Sequence, residues 1–185
     1  MKICLIRHGE TDWNAQGKIQ GRKNIPLNEL GKQQAKECCL YLQNGNWTKI
    51  VSSPLKRTKE TSQIIAEMLN IKDIIFNENL IERDYGDVEG KSYLQLNDSK
   101  NIYKIESKGS VYERMNLAIN TIIANYYPYD IIVVSHGSAI KNYLSRLTND
   151  EKLSHLENAC ISLLEYDNKK LRVKFYNKSI LELTQ

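Results

Sequence analysis

Three short stretches bring together the residue types that chemistry on an anion needs. Arg7-His8-Gly9-Glu10 follows the apolar run Lys2 to Ile6. Ser52-Ser53-Pro54-Leu55-Lys56-Arg57 follows Lys49-Ile50-Val51, and Ser135-His136-Gly137 follows Ile131 to Val134. Two of the chain's 3 histidines therefore stand beside a glycine where an apolar run ends. This set suits a phosphoryl group. An imidazole nitrogen is a nucleophile, guanidinium forks bind equatorial oxygens, and glycine lets backbone approach closely. In-line attack on a phosphomonoester needs a neutral imidazole, while arginines and a protonated second imidazole offset charge on the phosphoryl oxygens. A poor alkoxide leaving group needs a general acid, and the same carboxylate can then activate the water that hydrolyses phosphohistidine. Glu78, Glu82, Asp84, Asp87 and Glu89 form a loose acidic cluster that could supply it. Glu10 and Asp12 read instead as loop caps or orienting groups, and His155 as a surface or partly buried helix residue.

The elements that must position these groups alternate between strand and helix. Lys2 to Ile6 reads as a buried strand, followed by a charged loop. A helix from about Asn28 to Leu42 would place Leu30, Ala35, Cys38, Cys39 and Leu42 on one face. Lys49 to Val51 is a second strand stopped by Ser52-Ser53-Pro54, and Arg57 to Asn70 a helix with Ile64, Ile65, Met68 and Leu69 inward. Residues 73–81 hold a short third strand, 87–109 are a polar segment without an assignment, and Val111 to Tyr127 is a further helix. Ile131-Ile132-Val133-Val134 is β-branched throughout and reads as a central parallel strand covered on both faces. A helix follows from Gly137 to Leu147, then a closing hairpin over 161–176. The pattern predicts a doubly wound, three-layer α/β/α architecture with a mostly parallel central sheet. Such sheets bind ligands beyond the carboxyl ends of their strands, where Arg7, His8, Arg57 and His136 lie.

Taken in order, Leu5-Ile6-Arg7-His8-Gly9-Glu10-Thr11-Asp12-Trp13-Asn14, Gly21 with Pro26-Leu27-Asn28-Glu29-Leu30-Gly31, Ser52-Ser53-Pro54-Leu55-Lys56-Arg57-Thr58, Glu82-Arg83-Asp84-Tyr85-Gly86 and Val134-Ser135-His136-Gly137 resemble the histidine phosphatase superfamily, in its phosphoglycerate mutase-like branch. The resemblance runs from residue 3 to about residue 147. It implies His8 as the phosphorylated nucleophile, with Arg7, Arg57 and His136 completing the phosphate pocket. Asn14 would sit beside that pocket, with Gln20, Gly21 and Gly137 as further substrate contacts. Glu82, next to Tyr85-Gly86, would be the proton donor. Family mutases, as the resemblance implies, carry a longer insert after the Glu82 motif with an arginine pair for the substrate carboxylate. Here residues 91–109 offer only Lys91, Lys100, Lys104 and Lys108, and Gly86 to Gly90 looks more like the short phosphatase members. The expected activity is a metal-independent phosphomonoester hydrolase on a small phosphorylated metabolite. A cofactor-dependent phosphoglycerate mutase and an inactive phosphate-binding or interaction module are the alternatives.

Composition narrows the field further. The chain has 185 residues, 41% hydrophobic and 26% charged, with 26 Lys and Arg against 22 Asp and Glu for a net charge of +4. That length fits one domain over residues 1–185, and 9 Gly with 3 Pro exclude low-complexity classes. The mild positive balance suits an anionic metabolite but lacks the aromatic-interleaved basic stripe of a nucleic-acid binder. Lys18, Arg22, Lys23, Lys56 and Lys59 could steer anions or simply form a solvated face. No apolar run reaches the roughly 20 residues of a membrane span. Met1 to Ile6 meets Arg7-His8 too soon for a signal peptide, so a cytoplasmic location is expected. Cys4, Cys38, Cys39 and Cys160 lack metal-site spacing and read as buried thiols, and neither histidine loop offers carboxylates at metal-ligand spacing, so no metal or other cofactor is called for. A monomer and a homodimer fit equally, the hairpin at 161–176 being an edge or a dimer contact.

Overall fold

The computed structural model describes residues 1–92 and 104–184. Among these, strands β1 (Lys2–Arg7), β2 (Trp47–Ser52), β3 (Ile74–Phe76), β4 (Asp130–Ser135), β5 (Ile161–Asp167) and β6 (Lys170–Lys178) form one sheet in the order β3-β2-β4-β1-β5-β6. β1, β4, β2 and β3 run parallel, and β5 and β6 add the antiparallel hairpin. The helices are α1 (Asp12–Ala15), α2 (Glu29–Leu42), α3 (Lys56–Leu69), α4 (Lys108–Tyr126), α5 (Gly137–Thr148) and α6 (Ile180–Leu183).

Successive strand side chains point to opposite faces, so the apolar strands must be covered twice. Ile3, Leu5, Ile131 and Val133 pack with Met115 and Ile119 of α4 and with Ile140 and Tyr143 of α5. Cys4, Ile6, Ile132 and Val134 pack on the other face with Cys38 and Leu42 of α2 and Ile65 of α3. Each fully buried Leu or Ile contributes about 1.5–3 kcal/mol, so the central strands are the most firmly held part of the molecule. The expected three layers follow from this packing.

Register then sets the level at which the strands end. Arg7 pairs with Ser135, and Ser52 with Val134. His8, Ser53 and His136 consequently leave the sheet side by side. The amides of His8 and Ser53 each donate across this edge, to Ser135 O and Val134 O, at 3.0 Å.

Several boundaries differ from the sequence reading. Helix α4 starts at Lys108, with Ser107 as its N-cap, so the polar segment already ends in helix. The third strand covers only Ile74–Phe76, and a 3-10 turn capped by Asn77 follows over Glu78–Leu80. Short α1 and α6 each rest on a local capping box, Thr11 with Asn14 and Ser179 with Glu182. Leu30 and Met68, expected inward, are 52% and 51% exposed. In α3 the buried stripe is Thr58, Thr61, Ser62, Ile65 and Ala66, which turns Met68 outward. His155 lies in the irregular segment before β5 rather than on a helix. The four cysteines are free and buried as expected, and burial pushes the Cys160 thiol up to about 12. Among the described residues no helix is long and apolar enough to cross a membrane.

Leu30 faces solvent because Gly31 takes the inward place in α2. A Cβ on Gly31 would lie 2.0 Å from Glu10 O, and one on Gly9 would lie 2.2 Å from Gly31 O. The loop after β1 therefore rests backbone to backbone on α2. Gly31→Ala should force the two apart and lower stability by about 1–3 kcal/mol, seen as a lower urea midpoint together with reduced turnover. An unchanged midpoint would show that this contact yields freely.

Candidate active site

His8 is 2% exposed and held in one tautomer. Its Nδ1 lies 2.7 Å from the carbonyl oxygen of Gly9. A carbonyl only accepts, so Nδ1 carries the proton and Nε2 carries the lone pair. The Nε–H of Arg57 donates to that Nε2 at 3.1 Å. Burial, followed by the charges of Arg57 and Arg7, drives the His8 pKa well below the usual imidazole range. The ring is thus neutral at pH 7, as a nucleophile must be.

Arg57 enters from the first turn of α3 and is 1% exposed. Its Nη1 donates to Lys23 O at 2.7 Å and its Nη2 to Gly21 O at 2.8 Å. Gly21 has φ +50°, and a Cβ there would run into Glu89. Burial pulls the Arg57 pKa down to about 10, with Glu82 opposing the shift, so the guanidinium keeps its charge at neutral pH. Arg7 donates through Nη1 to Leu156 O and, at 3.1 Å, to Nε2 of His155. Gly137 gives Arg7 its room, since a Cβ there would lie 3.2 Å from Arg7 Nε.

His136 is fully buried, its ring centroid 5.3 Å from that of His8 and at 62° to it. Its Nε2 is 2.7 Å from Ser53 Oγ, while its Nδ1 is buried without a hydrogen-bond partner among the described residues. The expected protonation of His136 bears on the pocket with a phosphoryl group bound. Burial and then Arg57 push its pKa well below the usual range, so the ring is neutral as the groups stand. A dianionic phosphoryl group in the same pocket would work against that shift.

Glu82 is 9% exposed at the start of the loop after the Glu78–Leu80 turn. Its Oε1 accepts from the amides of Arg83 (2.7 Å) and Ala139 (2.9 Å), and its Oε2 from the amide of Ser138 (3.1 Å). The carboxylate thus sits at the N-terminus of α5, and Oε2 keeps a lone pair in which a proton can reside. Arg114 braces this loop, donating to Asn79 O and Ile81 O at 3.0 and 2.6 Å and pairing with Glu106 at 2.8 Å. Tyr85 OH lies 2.6 Å from Ser138 Oγ.

The structure therefore brings Arg7, His8, Arg57, Glu82 and His136 to one end of the sheet. Gln20 is buried there with its Oε1 unpartnered among the described residues. Asn14 Oδ1 accepts from Thr11 and from Asn158. Gly21 and Gly137 act through Arg57 and Arg7 as described. Glu10 accepts from Asn28, the N-cap of α2, at 2.9 Å and so orients it, whereas Asp12 lies in the first turn of α1, whose N-cap is Thr11. Arg22 is engaged by Asp84 and Glu106, Lys18 lies over Trp13 and Lys59 over Phe76, while Lys23 and Lys56 are exposed. Of the remaining lysines, Lys100 lies outside the described residues. Sequence reasoning missed Ser53, His155 and Asn158, whose Nδ2 donates to His8 O at 3.1 Å. Ser53 stood in a quoted motif, whereas the other two stand in a stretch without one. Among the described residues no group of three or more His, Cys, Asp or Glu is placed to hold a metal ion.

Residues 3–179 match the model of the histidine phosphatase superfamily (branch 1), and the chain belongs to that family. It is 38% identical over 181 residues to the uncharacterized phosphatase PhoE of Bacillus subtilis (strain 168), covering 95% of this chain and 93% of that one. It is 31% identical over 186 residues to the probable phosphoglycerate mutase GpmB of Proteus mirabilis (strain HI4320), covering 91% and 86%. Among solved structures, the phosphoserine phosphatase of Entamoeba histolytica in complex with 3-phosphoglyceric acid matches with a TM-score of 0.84 at 30% identity, covering 100% of this chain and 99% of that one. The protein is accordingly an enzyme of the histidine phosphatase type with the expected α/β/α fold.

Because His8 and His136 are held neutral when folded, the unfolded chain binds more protons below about pH 6.5. Stability should be complete above that pH and fall below it, each histidine contributing at most about 1.4 kcal/mol per pH unit. Urea midpoints should drop between about pH 6.5 and 5.5, and drop less in His136→Asn. Equal drops in both proteins would show that His136 does not carry this linkage.

Proposed function

We propose that the protein hydrolyses phosphomonoesters of small metabolites through a phosphohistidine on His8. The observation that carries this reading is the neutral, fully buried imidazole whose Nε2 lone pair lies at the Nε–H of Arg57. In the first step Nε2 attacks phosphorus in line, and the bond to the leaving oxygen breaks. Arg7, Arg57 and His136 stabilise the equatorial oxygens. Protonated at Oε2, Glu82 gives its proton to the departing alkoxide. In the second step the same carboxylate takes a proton from water, which attacks the phosphohistidine and releases inorganic phosphate.

Hydrolysis is favoured over phosphoryl return by the residues after the Glu82 motif. Residues 91–109 contain no arginine that could grip a second anionic group, and Arg22 and Arg83 are already engaged around Glu106. The Entamoeba histolytica relative, solved with 3-phosphoglyceric acid, supports small phosphorylated acids as the first substrates to try.

Phosphate release over a panel of such esters should vanish in His8→Ala with the fold retained. Retained release would remove the phosphohistidine route. Glu82→Gln should slow esters with poor leaving groups far more than p-nitrophenyl phosphate, whose leaving group hardly needs a proton. Equal losses on both would place the acid elsewhere.

A further inference from the structure

His155 was the one histidine without a motif, yet its ring reaches the phosphate pocket from the segment before β5. Arg7 has only donors, so Nε2 of His155 must accept its hydrogen bond at 3.1 Å. The next residue, buried Leu156, offers its carbonyl to the same Arg7 Nη1. Two consecutive residues therefore hold one nitrogen of the guanidinium.

This loop is itself pinned from the hairpin. Asn177 of β6 stands in the left-handed region at φ 53°, where the β5–β6 pairing is irregular. Asparagine adopts that conformation more readily than most residues. Its Nδ2 donates to Ser154 Oγ at 3.2 Å and to His155 O at 3.1 Å, and its Oδ1 accepts from the Glu157 amide at 3.0 Å. Its own amide donates to Ser162 Oγ at 3.0 Å. A side chain whose polar atoms all go to one loop fixes that loop.

We propose that the 154–157 loop is a positioning device for Arg7, in which the lone pair of His155 orients the guanidinium toward the phosphoryl group and protonation of His155 releases it. The proposal rests on the reading that Arg7 binds phosphate. Among the described residues, the charged groups acting on His155 are Arg7 from β1, Lys141 from α5 and Glu157 from its own loop, and β6 presents the uncharged Asn177. Partial burial, then Arg7 and Lys141, lower its pKa against the opposing Glu157. The ring is thus an acceptor at neutral pH. On acidification Nε2 becomes a donor on a cation that faces another cation, and the hold on Arg7 is lost.

The test measures inhibition by inorganic phosphate, with KM and kcat, at about pH 7.5 and 5.5 for four proteins: wild type, His155→Leu, His155→Gln and Arg7→Met. His155→Leu should weaken phosphate binding about tenfold at the higher pH, with a smaller change in kcat. Glutamine places an acceptor oxygen near the Nε2 position and does not titrate. His155→Gln should therefore restore most of the lost affinity and show a smaller drop on acidification than wild type. Unchanged phosphate affinity in His155→Leu, or a wild-type acid drop in His155→Gln, would overturn the proposal. If Arg7→Met leaves phosphate affinity unchanged, the reading of Arg7 fails instead. If Arg7→Met weakens binding while His155→Leu does not, the positioning role alone is refuted.

Discussion

The structure depends on keeping two guanidinium groups buried beside two imidazoles. Removing a cation from water is costly unless its donors are satisfied. Here much of that satisfaction comes from backbone carbonyls: Gly21 and Lys23 for Arg57, and Leu156 for Arg7. Carbonyls satisfy hydrogen bonds without cancelling charge. The pocket therefore stays positive, adds to burial in driving the protons off His8 and His136, and favours a dianion over any neutral ligand. One constraint yields both the neutral imidazole of His8 and a pocket suited to an anion.

Each carbonyl has to be aimed, and the fold shows how. Gly21 takes a positive φ, Gly137 leaves space beside the Arg7 side chain, and Gly9 with Gly31 lets the loop after β1 lie against α2. The register of β1, β2 and β4 brings the strand ends to one level, so Arg7, His8 and His136 leave the buried centre of the sheet side by side. Glu82 arrives by a different route. Its loop is clamped by the Arg114–Glu106 pair, only 13% and 11% exposed, and its carboxylate is received by the amides that open α5. The pocket is thus built from the sheet on one side and from a braced loop on the other.

The strand ends were legible in the sequence because a strand buried on both faces is an unbroken apolar run, and Arg7-His8-Gly9, Ser53 and His136-Gly137 interrupt such runs abruptly. Helix faces were less legible. Periodicity counts apolar residues, and α3 buries threonines and a serine while α2 buries Gly31, so Met68 and Leu30 face outward. Short α1 and α6 rest on capping boxes too brief to show a period. His155 and Asn158 were invisible for a further reason: they reach Arg7 and His8 from 148 and 150 residues further along the chain, and no local pattern encodes such a contact. The charge state of His136 was equally hidden, since it depends first on how deeply its own ring is buried and then on the charge of Arg57 beside it.

The central claim is covalent, and trapping the intermediate tests it most directly. Enzyme mixed with a turnover substrate should be quenched in alkali, where phosphohistidine survives, then digested and mapped by mass spectrometry. The account requires a phosphoryl group on the peptide carrying His8, lost on acid treatment. Turnover without any labelled peptide, or a label on another residue, would contradict it.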